Sequence, residues 1–176
     1  MDGEPEQGQD AEEQERDAAF VPAMRRDHRI EGKVTGVRDG EARHAVDETL
    51  AAMQGIHCPS DRPWAPKRLG EARVTEGAYV WRKLLDTGAR ILNGTDAPVE
   101  DVDPIASYYA TVSRKVKDGS VFYPDQRMNR MEALRSYTIN TARAAFEENT
   151  KGTLKAGKYA DMVVLSKDIL TVPENE

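Results

Sequence analysis

The sequence predicts an α/β fold with a small β appendage near its carboxyl end. Two observations lead to this prediction. A short apolar run at 89–93 lies between a helical pattern at 71–86 and a helix that opens at Pro104. A second apolar run, 162–165, follows the last helical patterns. Strands that alternate with helices are typical of α/β proteins.

The amino-terminal part of the chain is weakly patterned. Residues 1–17 are rich in acidic side chains, Gln and Gly, and we predict a disordered acidic tail, either functional or expendable. A short strand or turn is predicted at 34–37. A helix is predicted at 45–53, where apolar residues recur at roughly helical spacing, and a proline-rich loop at 58–66.

The central segment has clearer signals. We predict one helix over about 71–86, with Gly88 as its C-terminal cap. A strand follows at 89–93. Pro104 then opens the next helix, because its fixed φ suits the first turn.

The carboxyl-terminal part predicts two more helices. After a loop at 117–128, Asn129 and Glu132 form an Asn-x-x-Glu capping box that starts the first of them. The second helical run spans 139–147. A turn at 157–158 then leads to the apolar strand 162–165.

Length, charge and cysteine content exclude several classes. A chain of 176 residues is too short for a complete eight-stranded barrel, which needs about 250. Of the net charge of −6, residues 1–17 contribute −7 (eight acids, one base), so the rest sums to +1 and offers no basic face for nucleic acid. Cys58 is the one cysteine and no apolar run reaches about 18 residues, so we predict no membrane span and a cytoplasmic location.

Asp96 is the leading candidate for chemistry. It follows the predicted strand 89–93 within Gly-Thr-Asp-Ala-Pro-Val at 94–99. In parallel α/β enzymes, catalytic and metal-binding groups lie at the carboxyl ends of strands. An ionised carboxylate there can bind a divalent metal or accept a proton from metal-bound water. The alternative is a turn-forming aspartate before Ala-Pro.

His57 and Trp64 are the next candidates, both beside the predicted loop 58–66. A histidine there can bind a metal such as zinc, contact substrate or polarise a carbonyl. The alternative is a surface or hydrogen-bonded histidine. Trp64 either lines a pocket or packs. No His-x-His or Cys-x-x-Cys spacing occurs, so the chain alone does not indicate a metal site.

Several segments, taken in order, resemble a family of metal-dependent amidohydrolases. They are 54–57, Pro63-Trp64, 77–82, 94–100 and Pro104, followed by 132–140, 152–154 and 157–165. Together they look like the carboxyl-terminal third of the amidohydrolase family 3 branch that includes N-substituted formamide deformylases. The resemblance covers roughly residues 50–173.

The resemblance implies a distorted (β/α)₈ barrel with a small β-sandwich built from both chain ends. It implies hydrolysis of a carbon–nitrogen bond of a small amide-type substrate, by water activated on one or two divalent metals, zinc being expected. Asp96 would be the strand-8 aspartate that ligates metal and relays the proton. His57 would be a substrate-side group, as would Trp64 if it lines the pocket. The family's Gln-Pro-Thr-His corresponds to 54–57, where Gly55 and Ile56 replace Pro and Thr.

The remaining metal ligands of the family have no counterpart in the chain. We therefore expect a carboxyl-terminal portion, with barrel strands 7 and 8 and the last helices in 18–150 and β-sandwich strands in 151–176. Alone, it is expected to be inactive and to be poorly stable or self-associating. The alternative function is a non-catalytic interaction or pseudoenzyme module derived from the same fold.

Overall fold

Two short parallel strands organise residues 49–175, the part of the chain that the computed structural model describes. They pair in register, from Leu50 opposite Arg90 to Met53 opposite Asn93. Helices connect and follow them, which confirms the predicted α/β class. In chain order the elements are β1 (Leu50–Met53), α1 (His57–Asp61), α2 (Ala65–Leu69), α3 (Glu71–Gly77), α4 (Trp81–Asp86), β2 (Arg90–Asn93), α5 (Pro104–Ser113), a 3₁₀ helix (Pro124–Gln126), α6 (Arg130–Tyr137) and α7 (Ile139–Ala144).

The core lies between β2 and the helices around it. Trp81 of α4, Ile91 of β2 and Val74 of α3 are almost fully buried, and Tyr108 of α5 packs with them. Burial of such side chains stabilises a fold by about 1.5–3 kcal/mol each. This packing holds β2, and therefore the segment that follows it, in place.

The predicted helix ends around β2 and α6 are confirmed. Gly88 has a φ of +87° and its amide donates to the Leu85 carbonyl, as a C-terminal cap requires. Asn129 and Glu132 form both bonds of the capping box. Glu132 also pairs with Arg82 of α4, and this hydrogen-bonded cation holds the pKa of the Glu132 carboxyl below its usual range. The cap is therefore tied to the neighbouring helix.

Two predictions before β2 are wrong. Residues 50–53, placed in a helix at 45–53, form strand β1; residues 45–48 lie outside the described part. Four residues are too few for periodicity to distinguish helix from strand, and pairing with β2 decides the matter. The predicted loop 58–66 contains most of α1 and the start of α2. Pro59 and Pro66 occupy first-turn positions, where no amide hydrogen is needed, so they are compatible with these helices.

The predicted helix 71–86 is broken in two at 78–80. Tyr79 has a φ of +56°, and its carbonyl accepts a bond of 3.0 Å from Nη1 of the buried Arg114. In a continuous helix that carbonyl would accept from the amide of Lys83, which instead donates to the Gln126 side chain. Tertiary hydrogen bonds therefore end α3 and restart the chain as α4.

The strand predicted at 162–165 does not form in the described structure. These residues lie without regular hydrogen bonding, and Val163 and Val164 are 82% and 93% exposed. A strand needs a neighbour to pair with, and the two strands described pair with each other. The acidic tail 1–17 and the strand at 34–37 lie outside the described residues.

No helix within residues 49–175 combines the length and the apolar composition that a membrane crossing requires.

Candidate functional site

The candidate site lies at the carboxyl ends of β1 and β2. His57 comes four residues after Met53, the last residue of β1, and Asp96 comes three residues after Asn93, the last of β2. Because the strands are parallel and adjacent, these two ends lie side by side. The amide of Gly94 donates to the Met53 carbonyl and continues the pairing beyond the strands. The sheet therefore brings the two predicted site residues together.

The segment after Asp96 turns back on itself. Asp96 has a φ of +58°, and its carbonyl accepts hydrogen bonds from the amides of Val99 and Glu100 at 2.8 and 3.2 Å. Asp96 therefore begins a turn, as the alternative interpretation predicted. The turn returns Glu100 to the same side as Asp96, so that two carboxylates face the end of β1.

His57 lies between these two carboxylates. Its Nε2 is 3.0 Å from Asp96 Oδ2 and its Nδ1 is 3.2 Å from Glu100 Oε1. The side chains of His57 and Glu100 are 24% and 20% exposed, whereas that of Asp96 is 41% exposed. Asp96 is therefore the more exposed of the two carboxylates. An ionised carboxylate only accepts hydrogen bonds, and a neutral imidazole carries one ring proton, so the tautomer decides to which of the two carboxylates His57 donates.

Trp64 lies at the start of α2 with its side chain partly exposed. The guanidinium of Arg68 lies 5.8 Å from the centroid of its ring. The contacts described for the Trp64 side chain are thus with its own helix, whereas His57 and Asp96 contact each other.

The described residues do not by themselves form a metal site. No cluster of three or more His, Cys, Asp or Glu side chains suited to a metal ion occurs within residues 49–175. His57 Nε2 and Asp96 Oδ2 are both atoms that can bind a metal, but they lie 3.0 Å apart and contact each other. A protein-bound divalent metal usually takes three or more protein ligands, so Asp96 can supply one ligand of a larger set but not the set.

Cys58, beside His57 in the sequence, is not a nucleophile. It is fully buried, and burial, only partly offset by the nearby Arg114 guanidinium, raises the pKa of its thiol to about 12. The reactive form of a cysteine is the thiolate, which this environment suppresses at neutral pH. The chemistry of the site therefore belongs to its carboxylates and its imidazole.

Sequence reasoning missed two members of the site, Glu100 and Ser60. Ser60 donates from Oγ to Glu100 Oε1 at 2.5 Å. Ser60 lies three residues after His57, and Glu100 lies four residues after Asp96. One turn of chain spans either separation. That spacing, together with the turn signal of Ala-Pro, was the signal available in the sequence.

The comparisons with known proteins agree with the resemblance found in the sequence. The model of the amidohydrolase family matches residues 11–176. The chain is 36% identical over 118 residues to Protein LONG AFTER FAR-RED 3 of Arabidopsis thaliana, covering 66% of this chain and 20% of that protein. It is 34% identical over 119 residues to the putative amidohydrolase YtcJ of Bacillus subtilis (strain 168), covering 66% and 22%.

Further matches have names that specify the chemistry. The chain is 36% identical over 87 residues to the N-substituted formamide deformylase of Arthrobacter pascens, covering 49% of this chain and 16% of that enzyme. A crystal structure of an uncharacterized metal-dependent hydrolase from Pyrococcus horikoshii matches with a TM-score of 0.60 and 31% identity, covering 70% of this chain and 25% of the other.

These matches are partial along the relatives. The chain spans about a fifth of the length of the two curated relatives from Arabidopsis and Bacillus. The predicted resemblance to metal-dependent amidohydrolases is confirmed over the residues that match. With its family model matched from residue 11 to residue 176, this chain belongs to the amidohydrolase family.

Proposed function

We propose that this chain forms the strand-7 and strand-8 portion of a metal-dependent hydrolase that cleaves carbon–nitrogen bonds in small amide-type molecules. The observation that carries the proposal is the contact of His57 Nε2 with Asp96 Oδ2, 3.0 Å, at the ends of two adjacent parallel strands. Functional groups of barrel enzymes lie at these ends. The deformylase similarity supports the amide-type substrate.

The whole enzyme, in this proposal, is a distorted (β/α)₈ barrel with a small β-sandwich. Residues 18–150 belong to the barrel, and 151–176 supply sandwich strands that pair with residues from elsewhere. The apolar run 162–164 supports this, because its three side chains are 61% to 93% exposed in the described part of the chain. We place the enzyme in the cytoplasm, where Cys58, the one cysteine of this chain, stays reduced.

Within this proposal Asp96 accepts the proton of the attacking water and returns it to the leaving nitrogen. Its 41% exposed side chain is open to the region where a substrate would lie. His57 orients that carboxylate and contacts the substrate, and Trp64 lines the approach. Asp96 also contributes one ligand to a divalent metal, with zinc the expected ion; the other ligands belong to segments outside this portion of the fold.

The test is a chimera in which this chain replaces the matching segment of the Arthrobacter deformylase. We expect the chimera to bind metal and to hydrolyse an N-substituted formamide, whereas this chain alone stays at background. Asp96→Asn in the chimera should reduce kcat by about 10²–10⁴-fold, the usual contribution of a positioned acid–base group. The control is Asp101→Asn, a nearby exposed carboxylate that bonds the Asp103 amide.

Two outcomes would contradict this proposal. Activity of Asp96→Asn within about twofold of the parent chimera would remove Asp96 from the reaction, given the effect expected of such a group. A chimera that folds and holds stoichiometric metal but does not hydrolyse would favour the non-catalytic module.

We also propose that the chain alone self-associates. Met162, Val163 and Val164 are more than 60% exposed, and no third strand among residues 49–175 pairs with either outer edge of the two-stranded sheet. Exposed strand edges and apolar runs promote pairing with another chain. Size-exclusion chromatography with light scattering should give a mass above the 19.6 kDa of one chain. A compact monomer that unfolds cooperatively would contradict this.

A further inference from the structure

Residues 132–140 belong to the segments that carry the family resemblance, and the proposed function gives them no role. They cover most of α6 and the start of α7. Two consecutive residues at the end of α6, Ser136 and Tyr137, are hydrogen-bonded toward the end of β2, one directly and one through a side chain of α5. Ser136 is fully buried and Tyr137 is partly buried. The end of α6 is thus linked to the strand that leads to Asp96.

Ser136 holds Asn93, the last residue of β2. Its Oγ accepts a hydrogen bond of 2.8 Å from Asn93 Nδ2 and donates one of 2.6 Å to the Ala133 carbonyl. That donation uses the one hydroxyl hydrogen of Ser136, so the amide nitrogen of Asn93, and not its oxygen, must face the hydroxyl. The Asn93 side chain is therefore fixed to α6.

Tyr137 reaches the next residue, Gly94, through Ser107 of α5. Ser107 is 1% exposed, and its Oγ lies 2.6 Å from the Tyr137 hydroxyl and 3.2 Å from the Gly94 carbonyl oxygen. The carbonyl only accepts and Ser107 has one hydroxyl hydrogen, so Tyr137 donates to Ser107 while Ser107 donates to Gly94. Consecutive hydrogen bonds polarise one another. Tyr137 thus strengthens the longer bond to the Gly94 carbonyl.

Ser107 lies against both loops of the candidate site. Its hydroxyl donates to Gly94, which precedes Asp96 by two residues. Its carbonyl oxygen would lie 2.8 Å from a Cβ atom on Gly55, which precedes His57 by two residues. One buried residue of α5 therefore contacts the backbone of each loop shortly before the side chain that the loop presents.

We propose that Ser107 and Tyr137 are positioning residues that anchor the Asp96 loop, residues 94–100, in the geometry that presents the Asp96 carboxylate. They act through the Gly94 carbonyl and do not contact the substrate. The functional part of this inference rests on the proposed role of Asp96. The anchoring part does not, because it can be measured in the chain without any catalysis.

Amide hydrogen exchange of the full chain, measured by mass spectrometry of its peptic peptides, tests the anchoring. The amides of Val99 and Glu100 donate to the Asp96 carbonyl, so they exchange when the turn of the Asp96 loop opens. All chains are compared at one concentration, because self-association also stabilises the folded state. The exchange rate of these amides therefore measures how firmly the Asp96 loop is held.

Two variants remove the hydroxyls that hold the loop. Ser107→Ala deletes the bond to the Gly94 carbonyl, and Tyr137→Phe deletes the hydroxyl behind it while keeping the ring. In each variant, exchange in the Asp96 loop should become about 2–10-fold faster, as expected for the loss of one neutral hydrogen bond. Should Ser107→Ala fail to fold, judged by circular dichroism, Tyr137→Phe decides the question.

A remote turn and a matched tyrosine make the result specific. The turn at 116–120 is closed by a 2.9 Å bond from the Gly119 amide to the Val116 carbonyl, and its exchange should stay unchanged in both variants. Tyr159 is 66% exposed, so Tyr159→Phe should change neither segment. A general loss of stability would instead accelerate exchange in both segments alike.

The chimera with the Arthrobacter deformylase tests the functional part. Ser107→Ala should lower kcat by about 10-fold, because small misplacements of catalytic groups have effects of this size or larger. In an Asp96→Asn chimera the same change should cost less than about twofold, because the group that Ser107 positions is already lost. Tyr159→Phe should leave kcat unchanged in both backgrounds.

Three results would overturn the proposal. They are unchanged exchange of the Asp96 loop in the folded variants, equal acceleration in the turn at 116–120, and an equal loss of kcat in the Asp96→Asn chimera. The proposed hydrolase activity fails separately. An inactive parent chimera, with faster exchange of the Asp96 loop in Ser107→Ala, would reject the reaction and keep the anchoring. An active chimera whose kcat does not respond to Ser107→Ala would reject the positioning role alone.

Discussion

Replacing Arg114 with methionine is expected to lower the free energy of unfolding by about 3 kcal/mol. The Arg114 side chain is fully buried at the end of α5. It donates from Nε to the Phe122 carbonyl at 2.5 Å and from Nη1 to the Tyr79 carbonyl at 3.0 Å. Its guanidinium carbon lies 4.5 Å from the Trp81 ring centroid, which adds a desolvated cation–π contact.

Methionine fills the space of the arginine stem but has no donors, so the two carbonyls lose these bonds. Each buried unsatisfied group costs about 1–3 kcal/mol. Part of this loss is offset, because burial is unfavourable for the charge and lowers the pKa of the guanidinium, and Nη2 has no hydrogen-bond partner among the described residues. The net effect is therefore smaller than the sum of the lost contacts.

Urea unfolding followed by tryptophan fluorescence measures the change, since Trp81 is buried against Arg114. Parent and variants are compared at the same chain concentration, because the proposed self-association makes the apparent stability depend on concentration. Arg73→Met is the matched control, because Arg73 lies exposed on α3. The control should stay within about 0.5 kcal/mol of the parent chain, as surface substitutions usually do. If the free energy of unfolding of Arg114→Met also stays within about 0.5 kcal/mol of the parent chain, Arg114 does not stabilise the fold.

Gly55→Ala is expected to destabilise the chain by about 1–3 kcal/mol, the usual cost of overpacking. A Cβ atom on Gly55 would lie 1.9 Å from Thr111 Oγ1 and 2.8 Å from the Ser107 carbonyl oxygen. Both neighbours belong to α5, and Thr111 is fully buried. Rotation of the Thr111 side chain cannot relieve the contact with the Ser107 backbone oxygen, so α5 or the loop that leads to His57 must move.

The clash can be separated from other effects with a double variant. Thr111→Ala removes the nearest atom, so Gly55→Ala should cost at least about 0.5 kcal/mol less in that background. Gly77→Ala is the control, because a Cβ there meets nothing within 4 Å and should be neutral or stabilising. Equal costs for Gly55→Ala in both backgrounds would contradict this explanation.

The same contact gives a physical reason for a departure noted in the sequence. Gly55 stands where the family that the chain resembles has proline. With α5 this close, a residue with any side chain at position 55 would press on Thr111. The substitution therefore suits the packing in this chain, and His57 still reaches Asp96.

The parts of the fold that could be predicted are those that neighbouring residues form among themselves. The Asn129–Glu132 capping box, the Gly88 cap and the start of α5 at Pro104 each depend on residues within four positions of one another. The parts that could not be predicted depend on distant partners. β1 forms because β2 pairs with it, and the helix 71–86 breaks because Arg114 takes the carbonyl of Tyr79.

The sequence by itself determined that Asp96 follows a strand and that the motifs around Asp96 and His57 are those of an amidohydrolase. Only the tertiary structure decided that they meet, and that Glu100 joins them. The contacts of His57 with Asp96 and Glu100 link residues 39 and 43 positions apart. Local propensity contains no information on such distances, because the free energy that closes them comes from pairing β1 with β2 and packing the helices around them.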